Sequence, residues 1–128
     1  MNIGQAAEAS GVSAKMIRYY EETRLIRPAD RSASGYRVYS HEDVHTLRFI
    51  RRARDLGFSV KQITLLLSLW QDKNRESAQV KQVALEHISE LQTKIEEMQQ
   101  MIDVLAELAE SCHGDHRPNC PILNKLEA

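Results

Sequence analysis

The stretch NIGQAAEASGVSAKMIRYYEETRLIRP, residues 2–28, decides how the rest of the chain is read. Ile3, Ala6 and Ala7 recur at helical spacing, and Gly11 then supplies a residue that tolerates a left-handed turn. Ser13 offers a hydroxyl to cap a second segment, in which Met16, Ile17 and Tyr20 share one helical face. Two short helices joined by a tight turn follow, and Pro28 is expected to end the second of them. This is the pattern of a helix-turn-helix, whose second helix lies in a major groove.

Working outward, RPADRSASGYRVYS, residues 27–40, places Ser34 and Gly35 in a polar cluster before the alternating Tyr36 and Val38, flanked by Arg37 and Tyr39. That reads as a β-hairpin, or wing, with its tip at Ser34 and Gly35. A third helix is expected from about Glu42 to Leu56, capped by Ser40 with Asp43 three residues on and stopped at Gly57. A fourth runs from Ser59 to about Trp70, with Val60, Ile63, Leu66, Leu67 and Trp70 on one side.

After the polar break QDKNRES the pattern becomes one long helix, from about Ser77 to Ser111. Ala84, Ile88, Leu91, Ile95, Met98, Ile102, Leu105 and Ala109 alternate three and four residues apart, which is the spacing of a coiled-coil seam. At 1.5 Å per residue this rod is roughly 50 Å long, more than the front module could cover, so the seam calls for a second chain and a homodimer is expected. The expected class is mainly α: a winged helix-turn-helix domain at residues 1–70, a dimerisation helix at 71–111, and a loop with a short C-terminal helix at 112–128. In that last segment Ile122, Leu123 and Leu126 could form an amphipathic turn that packs back on the body.

Composition narrows the function classes. No apolar run approaches the roughly 20 residues needed to span a bilayer, and MNIGQAAEAS lacks the basic start and apolar stretch of a signal peptide, so a cytoplasmic protein with no membrane partner is expected. The formal charge of −1 divides unevenly along the chain. Residues 1–60 carry ten Lys and Arg against seven Asp and Glu, a balance of +3, and residues 61–128 carry seven against eleven, a balance of −4. A basic front half fits a polyanionic partner. No nucleophile paired with a base, phosphate-cradling glycine loop or acid pair is present, so an enzyme is not expected.

In the front module, Lys15, Arg18 and Tyr19 lie along the presumed recognition helix, and Arg31, Tyr36 and Arg37 lie in the wing. Arginine can bridge phosphates or the O6 and N7 edge of guanine, lysine supplies a point charge, and a tyrosine hydroxyl donates to phosphate oxygens. Tyr20, beside Ile17, is more at home in the core.

The only two cysteines, Cys112 and Cys120, fall in SCHGDHRPNCPIL, residues 111–123. A disulfide is disfavoured in a reducing cytosol, and redox pairs usually sit closer together. A Cys2His2 zinc site using His113 and His116 is the rival reading, against which stand the strain of closing four ligands within nine residues and the charge of Arg117. Two thiolates alone suit a soft monovalent ion such as Cu(I), Ag(I) or Au(I). His87, near the seam, reads as a packing residue.

With these residues assembled, the chain resembles the MerR family of metal-responsive transcription regulators, in particular its copper-efflux (CueR-like) branch and the gold-sensing relatives. The resemblance runs through MNIGQAAEASGVSAKMIRYYEETRLI, RSASGYRVYS, RRARDLGFSVKQI and CHGDHRPNCPIL, and so covers essentially the whole chain. It implies a homodimer joined by an antiparallel coiled coil and bound to double-stranded promoter DNA. In that family metal makes the dimer distort an overlong promoter spacer so that RNA polymerase engages both elements. It assigns DNA contacts to Lys15, Arg18, Tyr19, Arg31, Tyr36 and Arg37, and metal ligation to Cys112 and Cys120. Divalent sensors of the family carry a further cysteine near the start of the dimer helix, where this chain has Ser77. The expected function is activation of efflux or detoxification genes in response to Cu(I), or to Ag(I) or Au(I). The alternatives are a gold-selective sensor, and a cytosolic metal chaperone or buffer.

Overall fold

Helices of the front half begin where a polar side chain can accept an otherwise unpaired backbone N–H. Asn2, Ser13, Ser40 and Ser59 serve as N-caps, three of them in reciprocal capping boxes with Gln5, Asp43 and Gln62. The computed structural model describes residues 1–115 and 118–128. Its elements are α1 (Ile3–Ser10), α2 (Ala14–Glu22), β1 (Asp30–Arg31), β2 (Arg37–Val38), α3 (His41–Asp55), α4 (Val60–Gln71), α5 (Ser77–Ser111) and α6 (Pro121–Glu127). The mainly α class with a wing and a long helix is as expected. The chain divides into two units, Met1–Val80 and Lys81–Ala128.

In the first unit Ile17 of α2, Leu47 and Ile50 of α3 and Ile63 of α4 are fully buried. Each such side chain contributes about 1.5–3 kcal/mol relative to exposure. The α1–α2 turn is closed by Gly11, whose N–H donates to the Ala7 carbonyl at φ 75°, a left-handed conformation that costs glycine little.

The end of α2 departs from expectation. The helix stops at Glu22, well short of Pro28. The Leu25 N–H reaches back to the Tyr20 carbonyl at 2.9 Å and the Arg24 N–H to that of Glu21 at 3.1 Å, with Arg24 left-handed at φ 61°. This is the hydrogen-bond pattern of a Schellman stop with arginine where glycine is usual, so the sequence carries no glycine to announce it. The reversal delivers Ile26 into the core, where it is buried.

The two strands pair antiparallel, Asp30 opposite Val38 and Arg31 opposite Arg37. Ser32 and Gly35 close the tip, which agrees with the expected turn at Ser34 and Gly35. The wing is anchored at its far end: the Met1 ammonium donates to the Tyr39 carbonyl at 2.9 Å, and the Tyr39 N–H to the Met1 carbonyl at 2.7 Å. Asp43 accepts from the Ser40 N–H and also holds the Arg27 guanidinium, which fixes the start of α3 against the segment after α2.

In the second unit, residues along the rest of α5 leave an apolar stripe in solvent, including Ile88, Leu91, Ile95, Met98, Ile102 and Leu105. Val83 and His87 are the buried residues of this helix, His87 as expected from a packing residue, with its Nδ1 3.6 Å from a Glu90 carboxylate oxygen. The short helix α6 forms, with Leu123 and Leu126 exposed and Ile122 half-buried. Among the described residues no helix is long and apolar enough to cross a membrane.

Candidate nucleic-acid interface and thiol loop

The capping of α2 by Ser13 sets the helix phase. Ile17 and Tyr20 turn inward, and Lys15, Arg18 and Tyr19 are left exposed. Arg18 and Tyr19 lie three and four residues beyond Lys15, so all three occupy one side of the helix. The Tyr20 hydroxyl accepts from Arg54 at 3.3 Å, which satisfies the polar end of a core aromatic.

In the wing, Arg31 is exposed and donates to the Gly35 carbonyl across the hairpin at 3.0 Å, while Tyr36 stands in solvent at the tip. Arg37 is half-buried, with its Nε 3.3 Å from Glu21 Oε2. The other Glu21 oxygen accepts from the Tyr39 hydroxyl. Burial, the hydrogen bond to Glu21 and the charge of Glu21 push the Tyr39 phenol far above its ordinary range, and the positive charges of Arg37 and Arg18 oppose the shift only partly. Tyr39 therefore acts as a permanent donor that ties the wing to α2.

All six residues expected to meet DNA are thus on α2 or the wing of one unit. Glu21 and Tyr39 were not singled out from the sequence. The available signal was an acidic residue three positions after Arg18 on an otherwise basic face.

At the other end of the chain, α5 closes into the loop through the Cys112 N–H, which donates to the Ala109 carbonyl at 3.2 Å. Gly114 turns the chain at φ 61°, and Cys120 is the residue from which α6 starts. The two thiols face the same small cavity, and both remain free cysteines. They line a pocket of about 230 Å³ together with His113, Gly114, Asp115 and Asn119. The Leu123 N–H, joined by that of Ile122 and by the Cys112 thiol, pulls the Cys120 thiol below its ordinary value against the opposing effect of desolvation. Such a pair is chemically suited to a soft, thiolate-seeking ion. His113 borders the pocket, while His116 and Arg117 lie outside the described residues. Among the described residues no group of three or more His, Cys, Asp and Glu side chains is arranged to hold a metal.

Residues 1–70 match the family model described as MerR HTH family regulatory protein, and residues 44–108 match the model described as MerR, DNA binding. The chain belongs to the MerR family. This MerR-family chain is 62% identical to heavy metal-dependent transcription regulator 1 of Rhizobium meliloti, over 98% of this chain and 86% of that one. It is 42% identical to the HTH-type transcriptional regulator CueR of Salmonella typhimurium, over 98% and 91% of the two chains. Among solved structures, a transcription regulator from Ralstonia metallidurans in complex with lead(II) superposes with a TM-score of 0.85 at 28% identity, covering 98% of each chain. MerR-family proteins are DNA-binding transcription regulators and not enzymes, and they bind promoter DNA as dimers.

Proposed function

We propose that this MerR-family regulator senses a soft monovalent metal ion, Cu(I) in the first place with Ag(I) and Au(I) as further inducers, and activates efflux or detoxification genes. The observation that carries the proposal is the meeting of the chain's only two thiols, Cys112 and Cys120, in one pocket directly after the 35-residue helix α5. Metal dependence itself is supported by the 62% identity to a heavy metal-dependent regulator. The two-sulfur donor set supports a monovalent ion, because borderline divalent ions prefer more ligands. A bound ion would supply soft Lewis acidity that replaces the thiol protons, and Cys112 and Cys120 would hold it. The backbone N–H groups of Leu123 and Ile122 contribute by favouring the thiolate of Cys120 before metal arrives.

The ordered parts of the proposal are a winged helix-turn-helix at residues 1–70, a dimerisation helix at 71–111 and a metal loop at 112–128. The homodimer forms along the apolar stripe of α5, and Lys15, Arg18, Tyr19, Arg31, Tyr36 and Arg37 meet promoter DNA. RNA polymerase reads the result through promoter distortion, whose energy depends on protein conformation. In a cell this is cytoplasmic work. Membership of a DNA-binding family counts against the chaperone or buffer reading.

The test is transcription in vitro from the protein's own promoter with Cu(I), Ag(I), Au(I) and Zn(II) added in turn. Activation by the monovalent ions and not by Zn(II) is expected, with loss of the response in Cys112→Ser. Activation by Zn(II) alone, or a copper response that survives Cys112→Ser, refutes the assignment.

A further inference from the structure

A carboxylate sits within the surface read as meeting phosphate. The Glu21 side chain is 10% exposed, lies on the recognition helix, and accepts hydrogen bonds from two wing residues. Placed there without a purpose, a negative charge would only weaken attraction to a polyanion. Its two oxygens have separate partners. Oε1 takes the Tyr39 hydroxyl, and Oε2 takes the Nε of Arg37 at 3.3 Å. Tyr39 is buried and its backbone is tied to Met1, so Glu21 is itself held by a rigid neighbour.

The consequence falls on Arg37. With Nε engaged, its two terminal nitrogens carry no hydrogen bond among the described residues, and its side chain keeps 31% of its exposure. A guanidinium held by one edge and open at the other is arranged for a fork-like contact with phosphate or guanine. A long side chain fixed beforehand loses less freedom when DNA arrives.

We propose that Glu21 is a positioning residue for DNA recognition, which holds Arg37 of the wing in its DNA-contacting orientation relative to α2. The inference rests on the reading of Arg37 as a DNA contact, and the experiment separates the two.

The full-length chain is assayed by fluorescence anisotropy on a duplex that the unaltered protein selects from a random pool, and on an unselected duplex, across a salt series. Glu21→Gln keeps an acceptor for Tyr39 but removes the charge that holds Arg37. Binding to the selected duplex is expected to weaken about three- to tenfold, even though the protein becomes more positive. Binding to the unselected duplex is expected to hold or tighten. The loss should vanish in an Arg37→Gln background, because Glu21 acts through Arg37.

If Glu21→Gln tightens binding to the selected duplex or leaves it unchanged, or if its effect persists at full size without Arg37, the inference is overturned. An Arg37→Gln variant with unaltered affinity and salt slope overturns the Arg37 contact, and the inference with it. A clear Arg37→Gln effect beside a silent Glu21→Gln overturns the inference alone. Should Glu21→Gln melt far below the unaltered chain, the same cycle is read with Glu21→Asp. That variant keeps the charge, shortens its reach by one methylene, and is expected to reproduce the loss.

Discussion

Replacing Ile95 by alanine tests the exposed stripe of α5 with a worked magnitude. Ile95 is 65% exposed in the single chain, near the middle of a 35-residue helix. Full burial of an isoleucine contributes about 1.5–3 kcal/mol, so covering two thirds of it contributes about 1–2 kcal/mol per chain. A symmetric dimer counts the residue twice, which gives about 2–4 kcal/mol, or a dissociation constant raised roughly 30- to 1,000-fold. Alanine also favours helix more than isoleucine does, by a few tenths of a kcal/mol. Any effect through helix propensity would therefore oppose the predicted loss. Sedimentation equilibrium over a concentration series reads the constant directly, with circular dichroism to follow helicity. A dissociation constant within threefold of the unaltered chain would refute the seam as the dimer contact.

Three further outcomes follow from particular residues. Arg24→Gly should stabilise the first unit by about 0.5–1 kcal/mol in a thermal melt, because relief of the left-handed strain at φ 61° exceeds the added freedom of glycine in the unfolded chain. A lower melting temperature would mean that the arginine side chain matters more than its backbone. Arg18→Ala should reduce the slope of log affinity against log salt by about one per protomer, measured on the selected duplex, and an unchanged slope would remove Arg18 from the phosphate contacts. Cys120 has a thiol pulled below its ordinary value, so its alkylation should reach half-maximal rate at lower pH in the folded chain than in denaturant, as read by mass spectrometry of timed samples. The sign for stability is the same: the contribution is present above the unfolded value and is lost as pH falls through the folded one. Equal midpoints in the two states would show that the Leu123 and Ile122 N–H groups do not act on this sulfur.

Elements signalled by side chains at fixed offsets were legible before any coordinates. Ser40 with Asp43 and Gly57 announce the two ends of α3 within one or two residues, and the alternating stripe gives the span Ser77–Ser111 as found. Where the signal is a backbone conformation without its usual residue, the reading failed. Arg24 takes the left-handed position that glycine normally marks, so α2 ends earlier than Pro28 indicated. The amphipathic spacing of Leu123 and Leu126 was equally legible, but spacing specifies a face and not what covers it.

The same division holds for the candidate sites. By itself the sequence determined the fold class, the basic side of α2, the long apolar stripe and the existence of two thiols, because helical periodicity and composition are local properties. Tertiary structure decided which distant groups meet. Glu21 reaches across 16 and 18 positions to Arg37 and Tyr39, and Arg27 across 16 to Asp43. Cys120 gains its lowered thiol from N–H groups exposed where α6 begins. Such pairings depend on the direction in which the chain leaves each helix, and no local spacing rule encodes that direction.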